Sequence, residues 1–169
     1  MDRVRDLNPK VVLEIGTHWG GTLLFWAHVA AEDALIISCD LPGGDFGGGY
    51  SEARVPLYRG FALKGQTMEL VRADSHSPDT LAKIHSILGD RSVDFLFIDG
   101  DHTYEGVKAD FEMYSNLVRP GGLIAFHDIA SSYDRTEVER FWQEVKQVRE
   151  FEEFISNPGG LYGIGLIRV

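Results

Sequence analysis

Positive charge is scarce in this chain. Its 16 Lys and Arg residues face 26 Asp and Glu, giving a formal net charge of −10. That balance leaves no broad basic surface to release counterions from a phosphate backbone, and it suits an anionic membrane no better. Nucleic acid and membrane are therefore not expected partners. Cysteine is nearly missing. The one thiol, Cys39, excludes an internal disulfide and any multi-cysteine zinc site, and within IISCD it reads as a small core residue. Long apolar runs are missing too: nothing approaches the roughly 18 residues of a membrane span. MDRVRDLNPK has no apolar stretch of the secretory type behind it, so the expected location is cytoplasmic.

What is present suits one α/β domain over residues 1–169, with 44% hydrophobic and 25% charged residues. After a short polar lead, VVLEIG (11–16) is a strand broken by glycine, and TLLFWAHVAAE (22–32) reads as a mostly buried helix. ALIISCD (34–40) and TMELVRAD (67–74) are apolar strands that both end in aspartate. Between them lie five glycines within 43–49, a lid or substrate loop with no phosphate-loop lysine behind it, and then a short helix within 54–65. Ser77–Pro78 opens a helix with a capping hydroxyl, and Leu81, Ile84 and Leu88 form its stripe. VDFLFID is the fourth strand. The following helix places Val107, Phe111, Tyr114 and Val118 on one face and is stopped by Arg119–Gly122, which turns into GLIAF. Residues 137–150 form an amphipathic helix with Val138, Phe141, Trp142 and Val145 on one face. FEEFIS is a weak strand or a helix tail, NPGG a turn, and LYGIGLIRV a final strand.

The chain is organised around residues 93–128, where two buried strands each end in a polar cluster. FLFI runs into Asp99, Asp101 and His102, and GLIAF into His127 and Asp128. In an open parallel sheet both clusters face one crevice. The first turn, Gly16-Thr-His-Trp-Gly20-Gly21, lacks the middle glycine of the dinucleotide pattern G-x-G-x-x-G, and Glu14 precedes it. A carboxylate there repels a pyrophosphate but attracts an amino group, which favours a zwitterionic amino-acid tail lying against Gly16 and Gly20.

These motifs, EIGTHWGG together with IDGDHTYEGVKAD and LVRPGGLIAFHD, resemble the class I S-adenosylmethionine-dependent methyltransferases. They are most similar to the small-molecule O-methyltransferase and cephalosporin-hydroxylase-like branch. The resemblance implies a doubly wound, mainly parallel seven-stranded sheet in the order 3-2-1-4-5-7-6 with an antiparallel C-terminal strand. It implies Glu14 and Gly16 as contacts to the methionine end, Asp40 as the acid facing the ribose, and Asp74 and Ser75 as the adenine-side pair. Asp99 would face the transferred methyl, and His18 in the turn would line the cofactor. Capping or turn roles remain the alternatives for Asp40, Asp74 and Ser75.

Neighbouring parallel strands lie about 4.8 Å apart, so Asp99 and Asp128 can converge on one ion or one hydroxyl. Metal-dependent relatives hold Mg²⁺ with such acids, and Asp101 is the expected third ligand. Here His127–Asp128 replaces the paired acids of those relatives, which opens the site to Mn²⁺, Zn²⁺ or no metal. His102 and His127 are the candidate bases, with a structural hydrogen bond as the alternative for each. His28 and His85 read as surface or satisfied residues, and His76, beside a cap, gives no signal.

The expected reaction is methyl transfer from S-adenosylmethionine to a small-molecule hydroxyl. Two rivals stand beside it: a Rossmann-type nucleotide oxidoreductase, and a non-catalytic or accessory protein of the same fold. With about ten residues ahead of strand one, the acceptor cap is expected from the 43–51 loop, the 129–136 loop or a second subunit, so a homo-oligomer is expected to be compatible with the site.

Overall fold

The computed structural model describes residues 2–131, 135–156 and 162–169. In chain order the elements are α1 (Asp2–Leu7), β1 (Val11–Ile15), α2 (Gly21–Val29), β2 (Leu35–Asp40), α3 (Val55–Arg59), β3 (Thr67–Arg72) and α4 (Pro78–Leu88). They continue with β4 (Val93–Ile98), α5 (Tyr104–Tyr114), β5 (Val118–Phe126), α6 (Val138–Val148), β6 (Phe151–Phe154) and β7 (Ile164–Arg168). The strands form one sheet in the order β3-β2-β1-β4-β5-β7-β6. β1 to β5 pair in parallel, while β7 runs antiparallel to both β5 and β6. This is the doubly wound sheet implied by the resemblance.

Both faces of the central strands are covered, which is why β1, β2 and β4 are buried along their whole length and mostly apolar instead of alternating. On one face Val12, Ile36, Phe95 and Phe97 pack with Leu23 and Trp26 of α2 and Tyr58 of α3. On the other, Leu13, Ile37, Leu96 and Phe126 pack with Ile84, Tyr114, Phe141 and Trp142.

Register decides what the sheet presents at its carboxyl end. Ile15 pairs with Cys39 and with Ile98, and Ile98 pairs with Phe126. The next residues, Gly16, Asp40, Asp99 and His127, therefore emerge in one row. Backbone bonds carry the pairing into that row: Gly16 N–H donates to Cys39 O, Asp99 N–H to Ile15 O, and His127 N–H to Ile98 O. The chain departs to opposite sides from β1 and β4, and the crevice between them is where such sheets bind ligands.

Several boundaries differ from the sequence reading. The polar lead is helical, held by Val4 in the core. The second helix ends at Val29, and the helix before β5 ends at Tyr114. Val118 and Arg119–Gly122 belong to β5. Val118 pairs with Val93 and Leu123 with Phe95, so Arg119–Gly122 bulge between them, and Gly122 sits where a side chain would meet Val118 and the Asp94 carbonyl. Ser77 occupies the N-cap of α4, but its hydroxyl makes no capping bond; its carbonyl accepts from Thr80 and Leu81 instead. FEEF is a strand. The Asn157–Gly160 turn lies outside the described residues.

Candidate active site

Four side chains meet where β4 and β5 end. His102 Nε2 lies 3.3 Å from Asp99 Oδ1, and its Nδ1 lies 3.2 Å from Asp128 Oδ2. His127 Nδ1 lies 3.1 Å from Asp99 Oδ1 and 3.0 Å from Asp128 Oδ1. Acids and imidazoles thus alternate around a ring. Consecutive residues of a regular strand point to opposite faces, yet His127 and Asp128 both reach this ring. Asp128 adopts a left-handed backbone, φ 60°, which aspartate tolerates better than most residues and which turns its carboxyl inward.

Burial opposes ionising Asp99, but the bonds to His102 and His127 outweigh it and hold its carboxyl below the usual range. Burial likewise opposes charging His127, but Asp128 and Asp99 win and raise it to about 10. His102 moves up for the same reason, chiefly through Asp99. The ring is not saturated, however. His127 Nδ1 and Asp128 Oδ1 are buried and without a well-aligned hydrogen bond.

Ligand atoms of Asp99, His102 and Asp128 lie within 4.8 Å of one another, the only such metal-competent group among the described residues. Asp101, the third ligand expected from sequence, does not join it. Its Oδ1 accepts the Thr103 N–H at 2.8 Å, and its side chain fills the space above Gly106 in the first turn of α5. Thr103 in turn caps that helix, accepting from Gly106 N–H.

Beside the ring opens a cavity of about 620 Å³, lined among others by Gly16, His18, Asp40, Asp74, Ser75 and Asp99. Gly16 has φ 88°, and a Cβ there would collide with the Asp99 carbonyl. Asp40 accepts from Thr17 N–H and Tyr50 N–H, each at 3.1 Å, so it ties the first turn to the glycine loop as well as facing the cavity. Asp74 Oδ1 accepts the His76 N–H, the turn role weighed above, and the Ser75 carbonyl accepts the Tyr114 hydroxyl at 2.6 Å. The glycine loop lies across this cavity. Phe46 stacks on His102 with ring centroids 4.9 Å apart, and Gly47 passes so close to the His18 ring that a Cβ would not fit.

Two of the expected cofactor residues are elsewhere. Glu14 is wholly buried and does not line the cavity; its Oε1 accepts the Trp26 indole N–H at 2.8 Å. Burial pushes its carboxyl up to about 8, so at neutral pH it carries little of the charge that argued for attracting an amino group. Gly20 is also off the cavity. It opens α2 at φ 75° with the Tyr58 ring against it.

His127 also lines a second cavity, of about 580 Å³, with Glu153, Phe154, Ile155, Tyr162 and Ile164. Its ring lies 5.9 Å from that of Tyr162.

A methyltransferase-domain family model matches residues 13–129, well over half of the chain. The chain belongs to this methyltransferase family. Over 150 residues, 86% of its length, this family member is 29% identical to the uncharacterised protein y4gI of Sinorhizobium fredii, of which the match spans 16%. Among solved structures it is similar to an O-methyltransferase from Bacillus cereus in complex with SAH. That likeness has 19% identity and a TM-score of 0.70, covering 99% of this chain and 77% of the other. It is also similar to the MycE methyltransferase of the mycinamycin biosynthetic pathway in complex with Mg and SAH, at 19% identity and a TM-score of 0.65, covering 99% and 47%. These likenesses establish the methyltransferase fold. No described helix is long and apolar enough to cross a membrane.

The sequence reading missed Phe46, His76 and Asp110. Phe46 was hidden among glycines. Asp110 did leave a signal, since it falls three residues after Val107 and four before Tyr114, on the stripe α5 buries.

Proposed function

We propose that this methyltransferase carries a methyl group from S-adenosylmethionine to a hydroxyl of a small molecule, assisted by a divalent ion. The observation that carries this reading is the Asp99–His102–Asp128–His127 ring, which stands between a cofactor-sized cavity and a second, partly aromatic one. A volume of about 620 Å³ falls within the usual range for small-ligand sites, roughly 300–1,000 Å³. S-adenosylmethionine, when bound, supplies a methyl carbon activated by the sulfonium. The donor would lie over Gly16 with Asp40 and the Asp74–Ser75 segment along its adenosyl part, and the second cavity would take the acceptor's body against Tyr162 and Phe154.

Two carboxyl groups and one imidazole fit Mn²⁺ or Zn²⁺ as well as Mg²⁺, and Asp128 Oδ1, which lacks a well-aligned hydrogen bond, is a ready ligand atom. A divalent ion held there supplies positive charge that orients and acidifies the hydroxyl. The residues do the rest. His127 turns Nδ1 toward both acids, which leaves Nε2 to accept the hydroxyl proton. The acids keep that imidazole protonated while they face it with full charge; with that charge offset by an ion held on Asp99 and Asp128, His127 would be neutral and able to accept the proton. With donor and acceptor both bound, the oxygen–carbon bond would form as the sulfur–carbon bond breaks, its electron pair left on sulfur. The second cavity and Asp99 align the two reactants for this in-line displacement.

The test is turnover of the purified chain with S-adenosylmethionine and Mn²⁺, Zn²⁺ or Mg²⁺ against a panel of small hydroxylated compounds, read as S-adenosylhomocysteine formed. Calorimetry with S-adenosylhomocysteine and with NAD accompanies it. Binding of NAD in place of S-adenosylhomocysteine, or of neither, overturns the reading.

A further inference from the structure

Asp110 of α5 is completely buried, and neither of its carboxyl oxygens has a directed hydrogen bond. A lone acid in such a place is costly, and an apolar residue would continue the buried stripe of the helix at no such cost. Its one ion-pair partner among the described residues is His76, whose Nε2 lies 3.3 Å from Asp110 Oδ1 and 3.1 Å from the Gly106 carbonyl. His76 belongs to the 73–76 segment, all four residues of which line the first cavity described above. The same segment is tied to α5 a second time through Tyr114 and the Ser75 carbonyl. From the other side, Asp110 Oδ2 backs Gly100: a Cβ at Gly100 would stand 3.3 Å from it, and Gly100 lines the same cavity. One buried carboxyl group therefore supports two walls of the cavity without touching its interior.

We infer that Asp110 and His76 are a positioning pair that holds the 73–76 wall in the shape that binds the adenosyl end of the donor. The inference rests on the reading that this cavity takes S-adenosylmethionine. It assigns the pair to donor affinity and leaves the transfer step to the ring at the ends of β4 and β5.

The pair also gives donor binding a pH dependence of its own. The close contact with Asp110 is the main cause that raises His76 to about 9, against the opposing effect of burial. The groups facing this region are Asp110 and Tyr114 from α5, Asp74 on the segment itself and Cys39 from β2. Cys39 and Tyr114 are both pushed up by burial, so neither gains charge before His76 loses its own. The wall is held while His76 is protonated and loosens as pH rises through about 9.

The experiment is calorimetry of S-adenosylhomocysteine with the full chain as wild type, Asp110→Asn, His76→Gln and the double variant, with the His76 ring signals followed by NMR. Each single variant is expected to weaken binding about tenfold, the loss of roughly 1.4 kcal/mol from one charge-assisted contact. The double variant is expected to be no weaker than either single one. Turnover at saturating donor stays near wild type. In Asp110→Asn the His76 titration falls toward its ordinary range, and the alkaline loss of affinity is largely absent. Should Asp110→Asn fail to fold, the half-exposed His76→Gln carries the affinity test. Variants that bind as wild type does, or that lose turnover at saturating donor with affinity unchanged, overturn the inference alone. A wild type that binds no S-adenosylhomocysteine overturns the cofactor reading and this inference with it.

Discussion

His127 Nδ1 lies 3.1 Å from Asp99 Oδ1, and that contact joins the tips of β4 and β5. Asp99 lines the first cavity and His127 the second, so the contact also stands between the two cavities proposed for donor and acceptor. Parallel pairing of Ile98 with Phe126 makes the following two residues neighbours whatever their side chains. The acid and the imidazole then find each other because both are half-buried and each stabilises the charge of the other.

Replacing either member of this contact is expected to stop the chemistry, and replacing His127 is expected to spare the donor site as well. Asp99→Asn and His127→Asn should each lower kcat by about 10²–10⁴, the usual weight of a general acid–base group. Affinity for S-adenosylhomocysteine should fall little in His127→Asn, since His127 does not line the donor cavity. Single-turnover assays beside calorimetry check this, and unchanged kcat in both variants would remove the ring from the mechanism.

Metal affinity should rise with pH. His102 is a candidate ligand through a neutral nitrogen, yet Asp99 holds its imidazole above the ordinary range, so an incoming ion must displace a proton. Mn²⁺ titrations at increasing pH should show tighter binding, with heats that depend on the buffer because a proton is released. Binding that is independent of pH, or weaker at high pH, would take His102 out of the ligand set. Chelation should lower turnover and leave S-adenosylhomocysteine binding in place.

Glu14 makes the fold less stable at neutral pH than in mild acid. Its folded value is raised from 4.5 to about 8 by burial, so the folded chain holds a proton that the unfolded chain gives up. Stability is therefore unaffected by this group below pH 4.5, falls as pH rises from 4.5 to 8, and stays reduced above. The full effect is on the order of 4 kcal/mol. Glu14→Gln keeps an acceptor for the Trp26 indole and cannot ionise, so urea melts of this variant should lose that part of the slope. A wild-type slope unchanged in Glu14→Gln would show that the carboxyl group is not the source.

Gly16→Ala should damage the donor site more than Gly48→Ala. Both positions have positive φ, 88° and 73°, but a Cβ at Gly16 collides with the Asp99 backbone whereas at Gly48 only the Gly44 carbonyl is near, at 3.9 Å. The shared backbone strain is roughly 1 kcal/mol; the collision adds to it at Gly16 alone and displaces the tip of β4. Thermal melts and S-adenosylhomocysteine affinity of the two variants check the difference.

The sequence alone determined most of the succession of strands and helices, though not α1, and the two polar clusters at the ends of β4 and β5, because these follow from local apolar runs. It placed Asp99, His102, His127 and Asp128 at the crevice for the same reason. The order of strands in the sheet came from the family resemblance. Tertiary structure decided what burial and distance decide. Glu14 and Trp26 are twelve residues apart in sequence and both look apolar-flanked, yet only packing makes the acid neutral and pairs them. Asp101 and His102 are adjacent, and a helix cap claims the first while the left-handed turn at Asp128 brings the second to the acids. Protonation and ligand choice depend on the field of groups distant in the chain, which no local pattern of residues encodes.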